Sequence, residues 1–513
     1  MRVILNHPKL IFRLKRTAVC AFAVSCALSC FTRETLPIRP LHDSSKMVLL
    51  KVERKYEEEF KRATEDKYPF TYEEPEAYYS VLPKEMIAKY GFPKEGISVQ
   101  KQGYPFKYYS GNYQNQVNET IFALGDVKKG YKDNILNFHY LYWTSKLFPG
   151  KASFQHIGKS SHGTDIIGIL LTDKRISDQG KISVLFNCAH HSNEAISVEH
   201  CYDVLYEVLR SKERFSDVLA KLKIWIVPIV NPEGARVFWH HALALGRKNA
   251  RSNGNDGSDR ENPGVDVNRN YPFFWGRTKS PFTSTAPHSH FYRGPSPASE
   301  PETRSMIDLA ERERFAASIS YHAYANCILV PYTIDDTKNP EPDLVWDLGK
   351  RIASKIESYN PEKKFEARKN IYGVDGVDQD YYFFKYGTLA YLLETSHANP
   401  PYSDVEKIME SMRPAWTMLL DEVLDGNKIY FRIVDQDGEP LSANIIYENI
   451  TFFHDETRTS RPSDGLFFQV FPQLRKIKLR VEKEGYETLR WEGVTWKSWK
   501  QVELVLHKIR EAS

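Results

Sequence analysis

His191-Ser192-Asn193-Glu194 sets an imidazole and a carboxylate three positions apart, where an apolar run ends and a helical pattern begins. A second imidazole, His322, closes another apolar run, and Glu394 closes a third. Two imidazoles and one carboxylate form a zinc site with a fourth position left open for water. A further carboxylate beside it can take a proton from that water. Between these residues, Gly264-Val265-Asp266-Val267-Asn268-Arg269-Asn270 puts an amide next to a planar guanidinium, a pair suited to gripping a carboxylate. An internal peptide bond offers no free carboxylate and would leave a buried Arg unpaired. The chemistry is that of a peptidase removing C-terminal residues.

Each residue alone has a plainer explanation. His191 reads as a turn histidine, and Glu194 as a helix N-terminal carboxylate favoured by the dipole. His322 reads as a hydrogen-bonded core residue and Arg269 as a surface Arg in a polar turn. Glu394 reads as a solvated strand end, although a charge closing a buried strand needs a partner or a task. His190 should point away from its neighbour. Cys188 is a nominal alternative ligand, but a strand thiol is more often core.

The elements that must hold these residues follow from periodicity. From about residue 131 the pattern is α/β. Residues 135–147 read as a helix, and 165–171, 182–188 and 224–230 as β-branched strands buried on both faces. Over 194–210, Val198, Cys201, Tyr202, Leu205, Val208 and Leu209 keep helical spacing. Further strands are expected at 315–321 and 388–393, and a closing helix at 405–424, stopped by Asp425-Gly426-Asn427. This predicts a mixed β-sheet flanked by helices over 131–426, with ligands gathering at the strand ends. After Gly426 the period shortens. Runs at 429–434, 443–447, 466–470, 477–481 and 502–506, separated by Asp437-Gly438, Asp464-Gly465 and Glu484-Gly485, predict a small all-β sandwich over 427–513. Residues 31–130 have weak periodicity, with a charged helix expected at 51–62. Whether they form an accessory subdomain or a pro-segment over the active site stays open.

At 513 residues, two to four domains are expected. The hydrophobic fraction of 41% and charged fraction of 27% are those of a globular protein, not a fibrous or disordered one. The net charge of +4 includes Arg2, Lys9, Arg13, Lys15 and Arg16. These precede an apolar stretch at 17–29, so residues 1–30 read as an export signal, and their removal leaves a near-neutral protein. Nothing in that balance suggests a nucleic-acid partner. Ala27-Leu28-Ser29-Cys30 resembles a bacterial lipoprotein cleavage box with Ala27 where Leu is usual, which would lipidate Cys30 as a membrane anchor. A plain secretory signal cut nearby is the alternative. The expected location is therefore secreted, periplasmic or membrane-anchored, and the expected state a monomer. Outside the signal only Cys188, Cys201 and Cys327 remain, an odd count expected to be buried free thiols rather than a disulfide framework.

A set of motifs in order ties these features together: His191-Ser-Asn-Glu194, Asn231-Pro-Glu-Gly234, Arg247-Lys-Asn249, Gly264 to Asn270, Ser299-Glu-Pro-Glu-Thr303, His322-Ala-Tyr324, Ile371-Tyr372, Gly376, Asp380 and Leu393-Glu394. Over about 131–425 the chain resembles the zinc carboxypeptidases related to the pancreatic A and B enzymes. The resemblance implies one Zn²⁺ held by His191, Glu194 and His322, with Glu394 as the general base. Asn268, Arg269 and Tyr372 would hold the terminal carboxylate of a peptide or protein substrate. It also implies an oxyanion Arg. Arg247-Lys-Asn-Ala-Arg251 is one residue longer than the pancreatic pattern, and Arg251 is the first choice with Arg247 the alternative. The C-terminal sandwich resembles the transthyretin-like module of the regulatory N/E and D branch. Gln379 falls at the position lining the side-chain pocket and matches that branch. Thr333 follows Pro331-Tyr332 where the branch has an acidic residue, with Asp335 and Asp336 close behind, so basic specificity is only a lean. A zinc amidohydrolase acting on cell-wall or modified peptides, and a non-catalytic surface binding protein of the same fold, are the competing readings.

Overall fold

The computed structural model describes residues 47–65, 70–74, 76–100, 123–240, 246–251, 263–359, 362–371, 373–396 and 398–509. The expected signal segment, Cys30 and Tyr372 lie outside the described residues.

Leu50 and Val52 are buried while Lys51 is half-exposed and Glu53 exposed, an alternation that makes a strand at the start of the segment expected to be a helix over 51–62. That strand, β1 (Met47–Glu53), joins β2 (Phe70–Glu74), β3 (Ala77–Pro83) and β4 (Ile97–Gln100) in an antiparallel sheet of order β2-β3-β1-β4. The chain becomes helical just past β1, first as a 3-10 turn (Arg54–Tyr56) and then as α1 (Glu57–Thr64), with α2 (Lys84–Lys89) following β3. Leu50, Val52, Phe60, Leu82, Phe92 and Ile97 form a separate small core.

The central sheet has eight strands: β5 (Ala152–Lys159), β6 (Asp165–Leu171), β7 (Ile182–Cys188), β8 (Leu222–Val227), β9 (Ala317–His322), β10 (Cys327–Leu329), β11 (Glu366–Arg368) and β12 (Leu389–Glu394). Their order is β11-β10-β12-β9-β7-β8-β6-β5. β7 and β9 are buried along their whole length, as expected of central strands covered on both faces. The covering helices are α3 (Asn134–Leu147), α4 (Ala195–Arg210), α5 (Lys212–Lys221), α6 (Pro232–His240), α7 (Pro301–Glu313), α8 (Trp346–Ala353), α9 (Asp378–Tyr386) and α10 (Tyr402–Asp425). β7, β9 and β12 run parallel side by side, with Cys188 paired to Tyr321 and His322 paired to Glu394. Their C-terminal ends therefore open on one edge of the sheet, where the candidate residues follow.

One expectation is corrected here. Cys188 at the end of β7 and Cys201 in α4 form a disulfide, and only Cys327 is a free thiol among the described residues. The helical spacing that put Cys201 on the buried face of α4 also aimed it at the sheet. An odd cysteine count therefore left one over rather than all three.

After α10 come β13 (Asn427–Asp435), β14 (Asn444–Tyr447), β15 (Leu466–Phe471), β16 (Lys476–Glu482), β17 (Leu489–Val494) and β18 (Val502–Leu506). They make two three-stranded sheets, β15-β13-β18 and β14-β16-β17. The sheets face each other through Phe431 on β13 and Trp491 on β17, whose ring centroids are 4.9 Å apart. The apolar core continues without a break from the α/β layers into these sheets. Arg461 donates to the backbone carbonyls of Lys181 and Glu313, and Tyr430 to that of Gly180.

Candidate active site

β7 stops at Cys188, and Ala189, with φ 51°, turns the chain. His190 and His191 then diverge. Nε2 of His190 lies 2.9 Å from the Tyr271 hydroxyl, and burial pushes this imidazole down to about 4, so it is a neutral packing residue. His191 turns the other way. Its Nδ1 lies 2.9 Å from Oε1 of Glu194, the residue just before α4. His322, the last residue of β9, brings its Nδ1 to 3.0 Å from Oε2 of Glu194 and 3.1 Å from Nδ1 of His191.

These three side chains are buried, and their ligand atoms lie within 4.8 Å of one another. Ligand atoms about 2.0–2.1 Å from a tetrahedral zinc are separated by roughly 3.3 Å, so the spacing fits such an ion. The second nitrogen of His191 is fixed as well. Nε2 lies 2.9 Å from Oδ1 of Asp266, a carboxylate–imidazole contact that orients a metal-binding ring. Burial alone would raise the Glu194 carboxyl, but His191 and His322 hold it well below the usual carboxylate range. Asp266 is also held far down against its burial, mainly by Arg247 and His191. The cluster therefore presents anionic oxygens and ring nitrogens, the donor set zinc takes.

Glu394 ends β12 directly beside His322. One of its oxygens, Oε2, is buried with no hydrogen-bond partner among the described residues. Burial, and then the neighbouring Glu194 charge, push Glu394 up to about 7. A carboxyl tuned there, next to a metal position, suits a group that exchanges protons near neutrality.

Asn268 and Arg269 lie on a short turn, Val267–Arg269, just past Asp266. Asn268 Oδ1 accepts from the amide of Asp378 at 2.9 Å, which ties the turn to the start of α9. Arg269 donates from Nη1 to the carbonyl of Asn268 and from Nε to that of Phe282. Gly376 supports the same turn. Its φ is +71°, and a Cβ there would stand 2.2 Å from the Arg269 carbonyl oxygen. Gln379, on the first turn of α9, is buried, with Nε2 3.4 Å from the Thr333 hydroxyl and Oε1 unpartnered. Asp380 accepts from the amide and hydroxyl of Thr333, and burial raises it to about 7. Asp335 and Asp336 are exposed, so the acidic pair behind the lean to basic specificity faces solvent.

The two arginines separate clearly. Arg251 donates to Glu300 at 2.6 Å, and no contact of its side chain with the His-Glu-His cluster is seen among the described residues. Arg247 donates from Nε and Nη2 to Asp266, and its Nη1 lies 3.7 Å from Glu194 Oε1. Arg247 is thus the guanidinium at the edge of the metal position. Asp266 and Tyr324 received no separate role from the sequence. Asp266 was legible in principle, since a ligating imidazole needs an acceptor for its other nitrogen and a carboxylate stood two residues before Asn268. The Tyr324 hydroxyl donates to the carbonyl of Asn193 and braces the loop that carries Glu194.

Comparison with known proteins agrees with this geometry. The family model described as zinc carboxypeptidase matches residues 139–415. Metallocarboxypeptidase A of Trichophyton rubrum is 27% identical over 296 residues, 56% of this chain and 66% of that protein. Carboxypeptidase B of Helicoverpa zea is 26% identical over 227 residues, 43% of this chain and 50% of that one. The matches thus span less than two thirds of these relatives. Carboxypeptidase A from Helicoverpa armigera shares the fold, with a TM-score of 0.52 at 18% identity, covering 74% of this chain and 97% of that one.

Proposed function

Since this chain belongs to the zinc carboxypeptidase family, we propose that it is a zinc-dependent exopeptidase releasing the C-terminal residue of peptides or proteins. The observation carrying this reading is the convergence of three ligand atoms beside a buried carboxylate oxygen without a partner. Zinc held by His191, Glu194 and His322 would supply a water acidic near neutral pH and a Lewis acid for the scissile carbonyl.

The chain's own residues do the rest. Glu394 takes the proton at Oε2 and passes it to the leaving amine nitrogen. Arg247 rather than Arg251 faces the charge growing on the carbonyl oxygen. Arg269 and Asn268, joined by Tyr372, hold the terminal carboxylate, which restricts cleavage to the chain end. Gln379 and Thr333 line the pocket for the departing side chain.

Replacing Glu394 by Gln should leave one zinc per chain and abolish release of C-terminal residues from a peptide library. Retained turnover would refute the base assignment. We propose export as well, on the strength of residues 1–30 and of the Cys188–Cys201 disulfide, which suits an oxidising compartment. Lipidation of Cys30, a transthyretin-like identity for residues 427–513 and a monomeric state complete the reading. No helix among the described residues is long and apolar enough to cross a membrane.

A further inference from the structure

We infer that the C-terminal sheets position the substrate side-chain pocket, through Glu456 and Arg458 acting on Tyr332 and on the C-terminal end of α9. The inference rests on the exopeptidase reading for its meaning, but its geometry stands apart from the metal position.

In that reading two segments build the pocket wall. One is the loop carrying Thr333, and the other is the start of α9 with Gln379 and Asp380, joined by the Thr333–Asp380 hydrogen bonds. The loop is gripped from behind, and α9 is held at its far end, by the same short stretch of chain between β14 and β15. Tyr332, next to Thr333, is fully buried, and its hydroxyl donates to Glu456 Oε1 at 3.0 Å. The other oxygen of Glu456 accepts from the amide of His454 at 2.8 Å, so the carboxylate cannot swing away without losing that bond. His454 in turn sits 2.8 Å from the carbonyl of Lys338, further along the same loop. The Tyr332 ring packs on Phe273 and on Phe383 of α9.

At the far end of α9, Arg458 reaches across. It is among the largest fully buried side chains, and its Nη1 donates 2.7 Å to the carbonyl of Phe384. A cation at a helix C-terminus meets unsatisfied carbonyls and the negative end of the dipole. Gln469 Nε2 adds a bond to the carbonyl of Gly387, the left-handed residue (φ +74°) that ends the helix. A Cβ at Gly387 would stand 2.5 Å from Arg458 Nε, so the helix end and the guanidinium are in close fit. Burying an Arg with two nitrogens unpartnered is costly. A mere domain contact would be made more cheaply by apolar groups. The arrangement makes sense if it fixes where α9, and with it Gln379, stands relative to Thr333.

Among the described residues, no hydrogen bond joins Glu456 or Arg458 to a residue assigned to substrate, so they are positioning residues. The test compares Glu456→Ala, Glu456→Gln and Tyr332→Phe with the parent full-length protein. Each is assayed on peptides ending in the best-released residue and on peptides ending in Gly. For the preferred residue, Glu456→Ala and Tyr332→Phe should raise KM about tenfold, the worth of one charge-assisted hydrogen bond. The value for Gly and both kcat values should stay put, and Glu456→Gln, which keeps one of the two acceptor oxygens and loses the charge, should recover part of the loss. An equal loss on both peptides, or none, would overturn the inference. Hydrogen exchange gives a readout independent of activity. In Glu456→Ala, the amides of Thr333 and of residues 381–386 should exchange faster, while those of β7 do not. Unchanged protection would sink the inference even if the parent is active. If the parent cleaves nothing, the exopeptidase reading fails, and this exchange measurement still decides the positioning role.

Discussion

Arg247 and Arg251 show how little separates two residue assignments in sequence and how much in space. They stand four positions apart, and one extra residue in the loop made either a candidate. In the structure Arg251 is spent on Glu300, while Arg247 shares Asp266 with the metal-facing His191. Replacing Arg247 by Ala should cut kcat by about 10²–10³, the usual cost of losing one oxyanion donor, while Arg251→Ala leaves kcat within a few-fold. Steady-state kinetics on one peptide series decides it, and the reverse ranking would restore Arg251. Glu394 gives a second test at this scale. Its carboxyl stands at about 7 in the fold against an ordinary 4.5. The folded state therefore holds a proton that the unfolded chain has released, and stability falls as pH rises from 4.5 to 7. In zinc-stripped protein, Glu394→Gln should match the parent near pH 4.5 and become the more stable of the two by pH 8, read from urea unfolding. A variant less stable at both values would mean that the carboxylate has a partner in the metal-free fold.

At the scale of elements, the His-Glu-His cluster and Glu394 gather at the ends of parallel neighbours β7, β9 and β12. The link between β7 and α4 carries both His191 and Glu194 and is closed by the Cys188–Cys201 disulfide over 13 residues. A cross-link of that span contributes about 3 kcal/mol by loop-closure entropy. The Cys188→Ala/Cys201→Ala variant should lose about that much in denaturant unfolding, and reductant should weaken the parent but not the variant. Thiol titration of a chain starting at residue 31, unfolded without reductant, should find Cys327 alone; three thiols would remove the disulfide. These central elements were also the most legible in the sequence. β7 and β9 are continuous apolar runs, and α4 keeps its period because its buried face is broad. β10 and β11 have three residues each, too few for any period to register. β5 was missed because it is half exposed along its length, and an edge strand needs no apolar run. The disulfide was missed because pairing depends on which faces meet, and that is a property of packing rather than of spacing.

For the molecule as a whole, the change of period after Gly426 was visible, but the dependence of one part on the other was not. Short alternating runs announce a sandwich, yet nothing in them says that Arg461 will bond the carbonyls of Lys181 and Glu313. Nor do they say that the core will pass through the boundary unbroken. Interfaces between domains that move freely are modest and rather polar. Here Ile429, Phe431 and Leu466 belong to the same buried cluster as Leu389 and Trp416. A chain ended at Gly426 would expose that apolar face to water and strip the partners from the end of α9. It should therefore express poorly or unfold well below the parent's Tm, and what folds should bind a hydrophobic dye. The measurement is a thermal scan of the truncated and full-length proteins with zinc present in both. A truncated protein that melts cooperatively at the parent temperature would make the C-terminal sheets an independent appendage, and would also remove the mechanical basis for a positioning role of Glu456 and Arg458.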